Sequence, residues 1–548
     1  MKTYTVHADY HAEQNSVIDI IKLADLTDTS RYSLKNAWIS LGGWQSWSPG
    51  FELAPGQKQP SLTNRLIKGW NNYLVFPNSS FKPSKNLVLA QFVSYLRWDD
   101  FYLVFASVGN LARVLPPVQF IFDRSNNTIK IEICDKGNDW RRDDITAQIE
   151  IFTASSFFEC KDRLHDIFDG LYFQKISHLG KTPGGWESWY NHYADINEKL
   201  ILEDLEALTT TENIISTGTF SSKIFQIDDG WEKALGDWQA RTDRFPAGLG
   251  PLVEKIDAAG FIPGLWIAPF IIDARSETAQ NHPEWLLRDE KHELVLAGYN
   301  PLWGKGGNFY CLDLSRDEVV KYLEDLMDTV INKWGFRYIK LDFLYAGMLY
   351  GDYANPTASY KIYNRAIAAL TSRLKNNQGQ PLAYLGCGLP FELSFKYMPL
   401  SRIGCDTYEH WTNRLARLLN WNGRNEAYLN VKDTLGHALW NGTIFACDPD
   451  VIFIRSQNCS LTADQKLLIA TCNTLFGSQF MYSDDPGKAG VAEHQLENQI
   501  KELRQKFITE EFGLTQTSLD IYSIYNRQGN IKGIIDLRSP HANLQESN

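Results

Sequence analysis

The sequence has little that would suit a nucleic-acid-binding, disulfide-stabilised or membrane-spanning protein. Lys and Arg total 54 against 65 Asp and Glu, so the net charge is −11 and no basic run is available to hold a phosphate backbone. The eight cysteines form no C-x-x-C pair and no zinc-type spacing, so we expect reduced thiols, no metal site and no cofactor. No uninterrupted apolar run reaches the roughly 18 residues of a membrane span.

The amino-terminal residues lack the apolar stretch of a signal peptide. We therefore predict a cytoplasmic protein with neither a nucleic-acid nor a membrane partner. Tryptophan is abundant instead, with 17 residues. Aromatic faces stack on the C–H faces of sugars, but they also fill hydrophobic cores, so composition alone does not decide between these two uses.

Three segments differ in their hydrophobic pattern. Residues 1–176 contain short alternating runs, such as 87–95 and 128–133, which are typical of an antiparallel β-sandwich. Residues 177–486 alternate short apolar strands with helical patterns, which predicts a catalytic (β/α)8 TIM barrel. Residues 487–548 begin with a helix and return to alternation, which predicts a small C-terminal antiparallel β domain. The predicted fold class is therefore multidomain, α/β plus β.

Eight strands are predicted for the barrel segment. They centre on residues 186–189, 223–227, 263–267, 338–342, 383–387, 401–405, 443–447 and 479–482. Helices are predicted between or beside them at 157–171, 317–333, 360–375 and 493–506.

Carboxylates follow five of the eight predicted strands. They are Asp228 and Asp229, Asp342, Asp406, Asp448 and Asp450, and Asp484 and Asp485. A single aspartate near a helix start is often only an N-cap. Catalytic side chains of such barrels lie at the carboxyl ends of strands, and acids on five of them favour a functional site.

Two of these aspartates follow a basic residue by only two or four positions in the sequence. Glycoside hydrolysis needs two carboxyl groups, one as nucleophile or base and one as acid. Lys340 precedes Asp342 by two residues and should share its side of the strand, where its charge would keep Asp342 ionised. Arg402 precedes Asp406 by four residues and could hold substrate oxygens or tune that acid.

Seven motifs in this chain resemble glycoside hydrolase family 36, the α-galactosidase (melibiase) family, and its shorter prokaryotic members above all. They are WQSW at 44–47, GWESWY at 185–190, FQIDDGW at 225–231, GLWIAPF at 264–270, IKLDFLYAG at 339–347, LGCG at 385–388 and SRIGCDT at 401–407. The resemblance is strong over about 184–486 and looser over the amino-terminal segment. It implies an N-terminal β-sandwich, a catalytic barrel and a C-terminal β domain, in agreement with the hydrophobic patterns.

The resemblance also implies a reaction and a set of residues. A retaining α-galactosidase would release terminal α-linked galactose from oligosaccharides through a covalent galactosyl-enzyme, with Asp342 as nucleophile and Asp406 as acid/base. The implied substrate-binding residues fall into three groups. They are Asp228 and Asp229 at O4 and O6, Lys340 and Arg402 at ring hydroxyls, and Trp186, Trp266 and either Trp44 or Trp47 as walls, with Cys387 as a small buried residue beside the pocket.

Several alternatives stay open at this point. Glu187 departs from the expected strand-one motif and could alter the rim or point away from the sugar, and Glu409 is a second candidate for the acid/base. The same pocket would suit an α-N-acetylgalactosaminidase or a raffinose-type α-galactosyltransferase. A non-catalytic carbohydrate-binding protein is disfavoured because both catalytic aspartates are present. Relatives are sometimes homo-oligomers, in which Trp44 or Trp47 could serve a neighbouring subunit's site.

Overall fold

A computed structural model describes most of the chain. The described residues are 17–27, 31–60, 81–99, 101–108, 116–134, 148–172, 176–216, 218–301, 303, 306–418 and 425–545. The amino-terminal residues on which the signal-peptide prediction rests lie outside this part. None of the helices within it is long and apolar enough to cross a membrane.

The amino-terminal segment forms two antiparallel sheets. Their strands are β1 (Val17–Lys22), β2 (Trp38–Ser40), β3 (Glu52–Leu53), β4 (Leu87–Gln91), β5 (Val93–Arg97), β6 (Tyr102–Ser107), β7 (Val118–Asp123), β8 (Thr128–Ile133) and β9 (Ile149–Ala154). One sheet has the order β1-β8-β7-β4 and the other β3-β2-β5-β6-β9. Alternate residues of both sheets meet in one apolar cluster, with Phe120 and Ile129 from the first and Phe105 and Ile151 from the second.

The centre of the molecule is a parallel sheet of nine strand pieces. They are β10 (Pro183–Glu187), β11 (Ser222–Ile227), β14 (Ile262–Ile267), β18 (Tyr338–Leu341), β19 (Ala383–Gly386), β20 (Leu400–Arg402), β21 (Ala446–Asp448), β22 (Val451–Ile452) and β23 (Phe480–Tyr482). Their order is β21-β20-β19-β18-β14-β11-β10-β23-β22. Each of the eight predicted strands overlaps one of these pieces, and β22 was not predicted.

The two ends of this sheet come from one stretch of chain. β21 and β22 are separated only by Pro449 and Asp450, and Asp450 has a left-handed backbone with φ 73°. β21 pairs with β20, while β22 pairs with β23, which in turn pairs with β10. The sheet therefore curls back on itself, which is consistent with the predicted (β/α)8 barrel.

Helices connect the strands of the curled sheet and flank it. They are α1 (Leu23–Thr27), α2 (Phe157–Phe168), α3 (Trp189–His192), α4 (Glu198–Thr210), α5 (Gly250–Ala258), α6 (Glu277–Asn281), α7 (Asp317–Asp328), α8 (Ser359–Thr371), α9 (Phe391–Ser394), α10 (Arg414–Leu418), α11 (Ala427–Gly436), α12 (Ala463–Phe476) and α13 (Val491–Phe507). Local sequence determines where several of these helices begin. Thr462 and Gln465, for example, form a reciprocal capping box at α12. The helix predicted at 317–333 continues beyond α7 as a π-helical turn, Thr329–Lys333.

Small sheets cover the carboxyl ends of the second and third barrel strands. β12 (Glu232–Ala234) and β13 (Asp237–Ala240) form a hairpin after β11. β15 (Ile271–Ile272), β16 (Leu296–Tyr299) and β17 (Asn308–Cys311) form a three-stranded sheet after β14. They place additional side chains over this end of the barrel.

The chain ends in a four-stranded antiparallel meander. Its strands are β24 (Gly513–Ser518), β25 (Ile521–Tyr525), β26 (Ile531–Asp536) and β27 (His541–Leu544). A buried ion pair ties this sheet to the amino-terminal one, because Arg97 binds the Glu52 carboxylate at 2.8 Å and also donates to the Gln516 carbonyl at 2.9 Å. The domain boundaries at 176/177 and 486/487 stay predictions.

Candidate active site

Asp342 lies directly after β18, with both carboxylate oxygens held by donors. Its Oδ2 accepts the indole N–H of Trp266 at 3.0 Å, and its Oδ1 accepts the backbone N–H of Phe343 at 2.7 Å. Phe343 itself has a left-handed backbone, with φ 53°. Burial raises the pKa of Asp342 above its ordinary value, whereas Lys340 and these two donors oppose the rise.

Lys340 contacts two carboxyl groups other than that of Asp342. Its Nζ lies 2.8 Å from Asp228 Oδ2 and 3.3 Å from Glu187 Oε2. The side-chain amide of Gln226 donates to the same two oxygens, at 2.8 and 3.0 Å. The four side chains therefore close a buried ring of hydrogen bonds, and the ammonium acts on Asp342 only through its charge.

Glu187 is the least expected member of this ring. Its side chain is buried and points to Lys340, while its Oε1 has no hydrogen-bond partner among the described residues. Burial raises the pKa of Glu187 to about 8, although Lys340 opposes that rise. The raised pKa favours the protonated form of Glu187 at neutral pH.

Asp229 belongs to a separate carboxyl pair. Its Oδ2 accepts the indole N–H of Trp303 at 2.6 Å. Burial raises the pKa of Asp229 well above its ordinary value, and the Glu232 carboxylate, to which it is hydrogen-bonded, raises it further. Asp229 therefore binds a proton more readily than a free aspartate does, and a protonated carboxyl group can donate as well as accept a hydrogen bond.

Arg402 holds Asp406 and two further carboxylates. Its guanidinium lies 3.3 Å from Asp406, 2.9 Å from Asp448 and 2.7 Å from Asp450, and the Asn425 amide donates to Asp406 at 2.9 Å. The Asp406 side chain is 27% exposed, which gives a ligand access to it. Burial and then the Asp450 charge raise the pKa of Asp406 to about 7, against the lowering effect of Arg402.

These carboxyl groups occupy one end of the barrel with different proton affinities. A pair of acids in which one is held by fixed donors and the other is poised near neutrality suits acid/base and nucleophilic chemistry at a glycosidic bond. No group of three or more His, Cys, Asp or Glu side chains in the described part of the chain is arranged to hold a metal ion.

Comparisons with known proteins point to the same chemistry. The Melibiase family model matches residues 152–358. An α-galactosidase of Thermus thermophilus, solved with p-nitrophenyl α-D-galactopyranoside, superposes with a TM-score of 0.70 at 26% identity, covering 90% of both chains. This chain is similar to the α-galactosidases of glycoside hydrolase family 36.

Other α-galactosidases match over less of their length. The probable α-galactosidase C of Aspergillus oryzae is 30% identical over 205 residues, which are 36% of this chain and 26% of that protein. The sequence matches thus span about a quarter of the curated relatives. The family 36 enzyme AgaA of Geobacillus stearothermophilus has a TM-score of 0.56 at 15% identity, covering 90% of this chain and 66% of its own, and shares the fold.

The predicted aromatic residues fall into two groups. Trp266 reaches Asp342, and Trp47 lies over the neighbouring turn, with ring centroids 5.3 Å from Phe343 and 5.9 Å from Tyr345. Gly388 permits this approach, because it has φ 56° and a side chain there would collide with the Trp47 ring. The amino-terminal segment therefore reaches the end of the barrel next to Asp342.

The remaining predicted residues lie deeper. Trp186 is 0% exposed, stacks on Phe225 and donates its indole N–H to the Asp484 carbonyl at 2.8 Å, so it packs within the interior. Trp44 is also buried, edge-on to Tyr345. Cys387 is buried beside Asp342 and Arg402, and burial raises the pKa of its thiol.

The structure adds residues that sequence reasoning missed. Trp303 and Glu232 hold Asp229, and Asn425 holds Asp406. Asp450 was recognisable as an acid after the seventh strand, but its contact with Arg402 was not. Glu409, the second candidate acid, is bound by Tyr193 at 2.5 Å and by Arg455 at 2.8 Å.

Proposed function

We propose that this chain is a retaining α-galactosidase that releases terminal α-linked galactose from oligosaccharides by double displacement. The observation that carries the proposal is the contrast between Asp342 and Asp406. The first has both oxygens fixed by N–H donors, whereas the second is accessible and has a pKa raised to about 7. The similarity to α-galactosidases supports it, including one solved with stachyose.

In the first step Asp342 attacks the anomeric carbon. Trp266 and Phe343 orient its carboxylate by donating to different oxygens, so the nucleophile needs little reorganisation. Asp406, protonated, gives its proton to the leaving oxygen as that bond breaks. The products of the step are a galactosyl ester of Asp342 and the free leaving sugar.

In the second step Asp406, now ionised, takes a proton from water, which attacks the anomeric carbon and releases Asp342. The cation Arg402 and the carboxylate Asp450 act on Asp406 in opposite directions, which keeps its pKa near neutrality for both roles. Retention requires that the two carboxyl groups lie about 5–5.5 Å apart, which stays a prediction.

Galactose recognition is assigned to the carboxyl groups at the end of β11. Asp228 is held by Lys340 and Gln226, and Asp229 is hydrogen-bonded to Glu232, so the two side chains together offer carboxyl oxygens to O4 and O6. An axial O4 distinguishes galactose from glucose. We propose Trp266, Trp303 and Trp47 as the apolar walls.

We also propose the three-part architecture for this enzyme. The shared apolar cluster of the two amino-terminal sheets supports a β-sandwich within 1–176, the barrel would occupy 177–486, and the meander would form the domain at 487–548. A cytoplasmic location and a homo-oligomeric state are predictions from the sequence and from the resemblance to the family.

The test is a panel of α- and β-linked nitrophenyl galactosides, glucosides and N-acetylgalactosaminides. We expect cleavage of the α-galactoside, release of α-galactose by NMR, and loss of activity in Asp342→Asn. Asp273→Asn is the matched control, because Asp273 pairs with Arg275 on the surface after β15. Preference for the acetamido sugar would change the specificity, β-galactose as first product would refute retention, and an inactive panel would refute the hydrolase.

A further inference from the structure

A second cavity lies outside the galactoside site, beyond the ends of β10, β22 and β23. It measures about 430 Å³ and is lined by Tyr190, Tyr193, Arg455, Tyr482 and Ala489 among others. None of the described residues that we assign to galactose or to catalysis lines it. Helix α13 and the loop before it form the outer wall.

One buried polar group of the lining has no internal partner. Tyr482 is 2% exposed, and its hydroxyl makes no hydrogen bond to any described residue. An unpaired hydroxyl in the interior costs stability, whereas a ligand oxygen or hydroxyl at the cavity would satisfy it. Tyr482 is therefore the first group that we assign to binding.

The arginine and lysine side chains of the lining are already paired with carboxylates. Arg455 binds both Glu409 and Asp484, at 2.8 Å each. Lys488 lies 2.6 Å from Asp485. An added anion would find no free cation among these groups, whereas the carboxylates of the lining, which include Glu493 and Glu497, can accept hydrogen bonds from the hydroxyl groups of a neutral ligand.

An anion is further disfavoured at the start of helix α13. Its first turn is occupied by Glu493, whose carboxylate accepts the backbone N–H groups of Gly490 and Ser456 at 3.1 Å each. A phosphate at this position would meet a carboxylate instead of free N–H donors. Tyrosine rings beside hydrogen-bonding carboxylates are instead the surfaces that a hydroxyl-rich ring with apolar C–H faces would use.

We propose that this cavity is a second carbohydrate site, which binds a neutral saccharide unit. It is connected to the catalytic acid, because the Tyr190 hydroxyl donates to Asp450 at 3.2 Å and Asp450 binds Arg402, which holds Asp406. The saccharide is either a distal unit of the bound oligosaccharide or a separate sugar molecule. The first source rests on the proposed function, and the second does not.

The experiment uses the full chain and sucrose, which contains no galactose, in calorimetric titrations and saturation-transfer NMR. Tyr482→Phe removes only the unpaired hydroxyl and should weaken sucrose binding about fivefold or more. Ala489→Trp fills the cavity and should abolish binding. Tyr522→Phe is the matched control, because Tyr522 has another buried hydroxyl without a partner among the described residues, remote from this cavity. Asp342→Asn should bind sucrose as the wild type does.

Kinetics then distinguish the two sources. If the saccharide is part of the substrate, Tyr482→Phe raises KM for stachyose about fivefold and leaves p-nitrophenyl α-galactoside unaffected. If it is a separate molecule, sucrose binding weakens while both KM values stay unchanged. Absence of sucrose binding by the wild type, or equal binding by wild type, Tyr482→Phe and Ala489→Trp, would overturn the proposal. Sucrose binding in a chain that cleaves no galactoside would uphold this site and refute the proposed function.

Discussion

The hydrogen bond from Trp266 to Asp342 makes the ionisation of the proposed nucleophile testable by one substitution. Trp266→Phe keeps an aromatic ring but removes the N–H that lies 3.0 Å from the Asp342 carboxylate. A hydrogen bond to a charged group contributes about 1.5–3 kcal/mol, which corresponds to a rise of about one to two pH units in the pKa of Asp342. The direction follows because the lost donor stabilised only the ionised form.

The assay is the pH dependence of kcat/KM for p-nitrophenyl α-galactoside. The acid limb of that profile reports the free enzyme's group that must be ionised, here Asp342. We expect this limb to move to higher pH by about one unit or more in Trp266→Phe. A pH-independent fall in kcat/KM, caused by altered contact with the sugar, would be superimposed on this shift and is distinguishable from it.

A neighbouring tryptophan provides the control. Trp238 packs with its ring centroid 6.0 Å from that of Trp266, and its indole N–H has no hydrogen-bond partner among the described residues. Trp238→Phe is the same chemical change without loss of a donor to Asp342, so its acid limb should coincide with that of the wild type. If the two variants shift equally, or neither shifts, Trp266 does not set the pKa of the nucleophile.

Three further predictions concern other ionisable groups. Asp406→Asn should lower kcat/KM about 10²–10⁴-fold for substrates with poor leaving groups and much less for nitrophenyl galactosides. The wild-type pH profile of kcat/KM should fall on its alkaline side near pH 7, because Asp406 must be protonated, and this fall should be absent in Asp406→Asn. If the fall persists in the variant, it belongs to another group. The pKa of Glu187 is raised from 4.5 to about 8, so stability present at low pH is lost as pH rises through that window. Glutamine cannot ionise, so Glu187→Gln should not lose stability over this range, and its Tm minus that of the wild type should increase between pH 5 and 8. A Tm difference that does not change with pH would contradict a neutral Glu187. Arg97→Met leaves Glu52 buried without its partner and should lower the free energy of unfolding by about 3–5 kcal/mol in denaturant titrations, whereas a loss below about 1 kcal/mol would mean that the pair stabilises little.

Much of the barrel could be predicted from local sequence. Its strands are short apolar runs followed by aspartates, and the runs before Asp228 and Asp342 end within one residue of β11 and β18. The location of each aspartate in the fold depends only on its place directly after a buried strand. This rule therefore brings Asp228, Asp342 and Asp406 to one end of the barrel without knowledge of any contact.

Contacts across the barrel could not be predicted in the same way. Alternation along β10 places Glu187 toward Lys340 and thus Trp186 toward Phe225, but the sequence does not state which of the two faces inward. Trp303 reaches Asp229 from a loop between β16 and β17. Its position depends on tertiary packing of a segment that has no periodicity of its own.

The division of the seventh strand into β21 and β22 has a consequence for synthesis of the protein. Arg402 is made 46 residues before Asp448, and Asp450 follows two residues later. Since chains emerge from the ribosome amino-terminus first, a barrel lacking its last two strands would have a guanidinium without two of its three carboxylates. The proposed catalytic centre therefore assembles only when most of the chain has been translated. Termination of translation before residue 446 should yield a protein whose barrel does not close and which does not cleave α-galactosides.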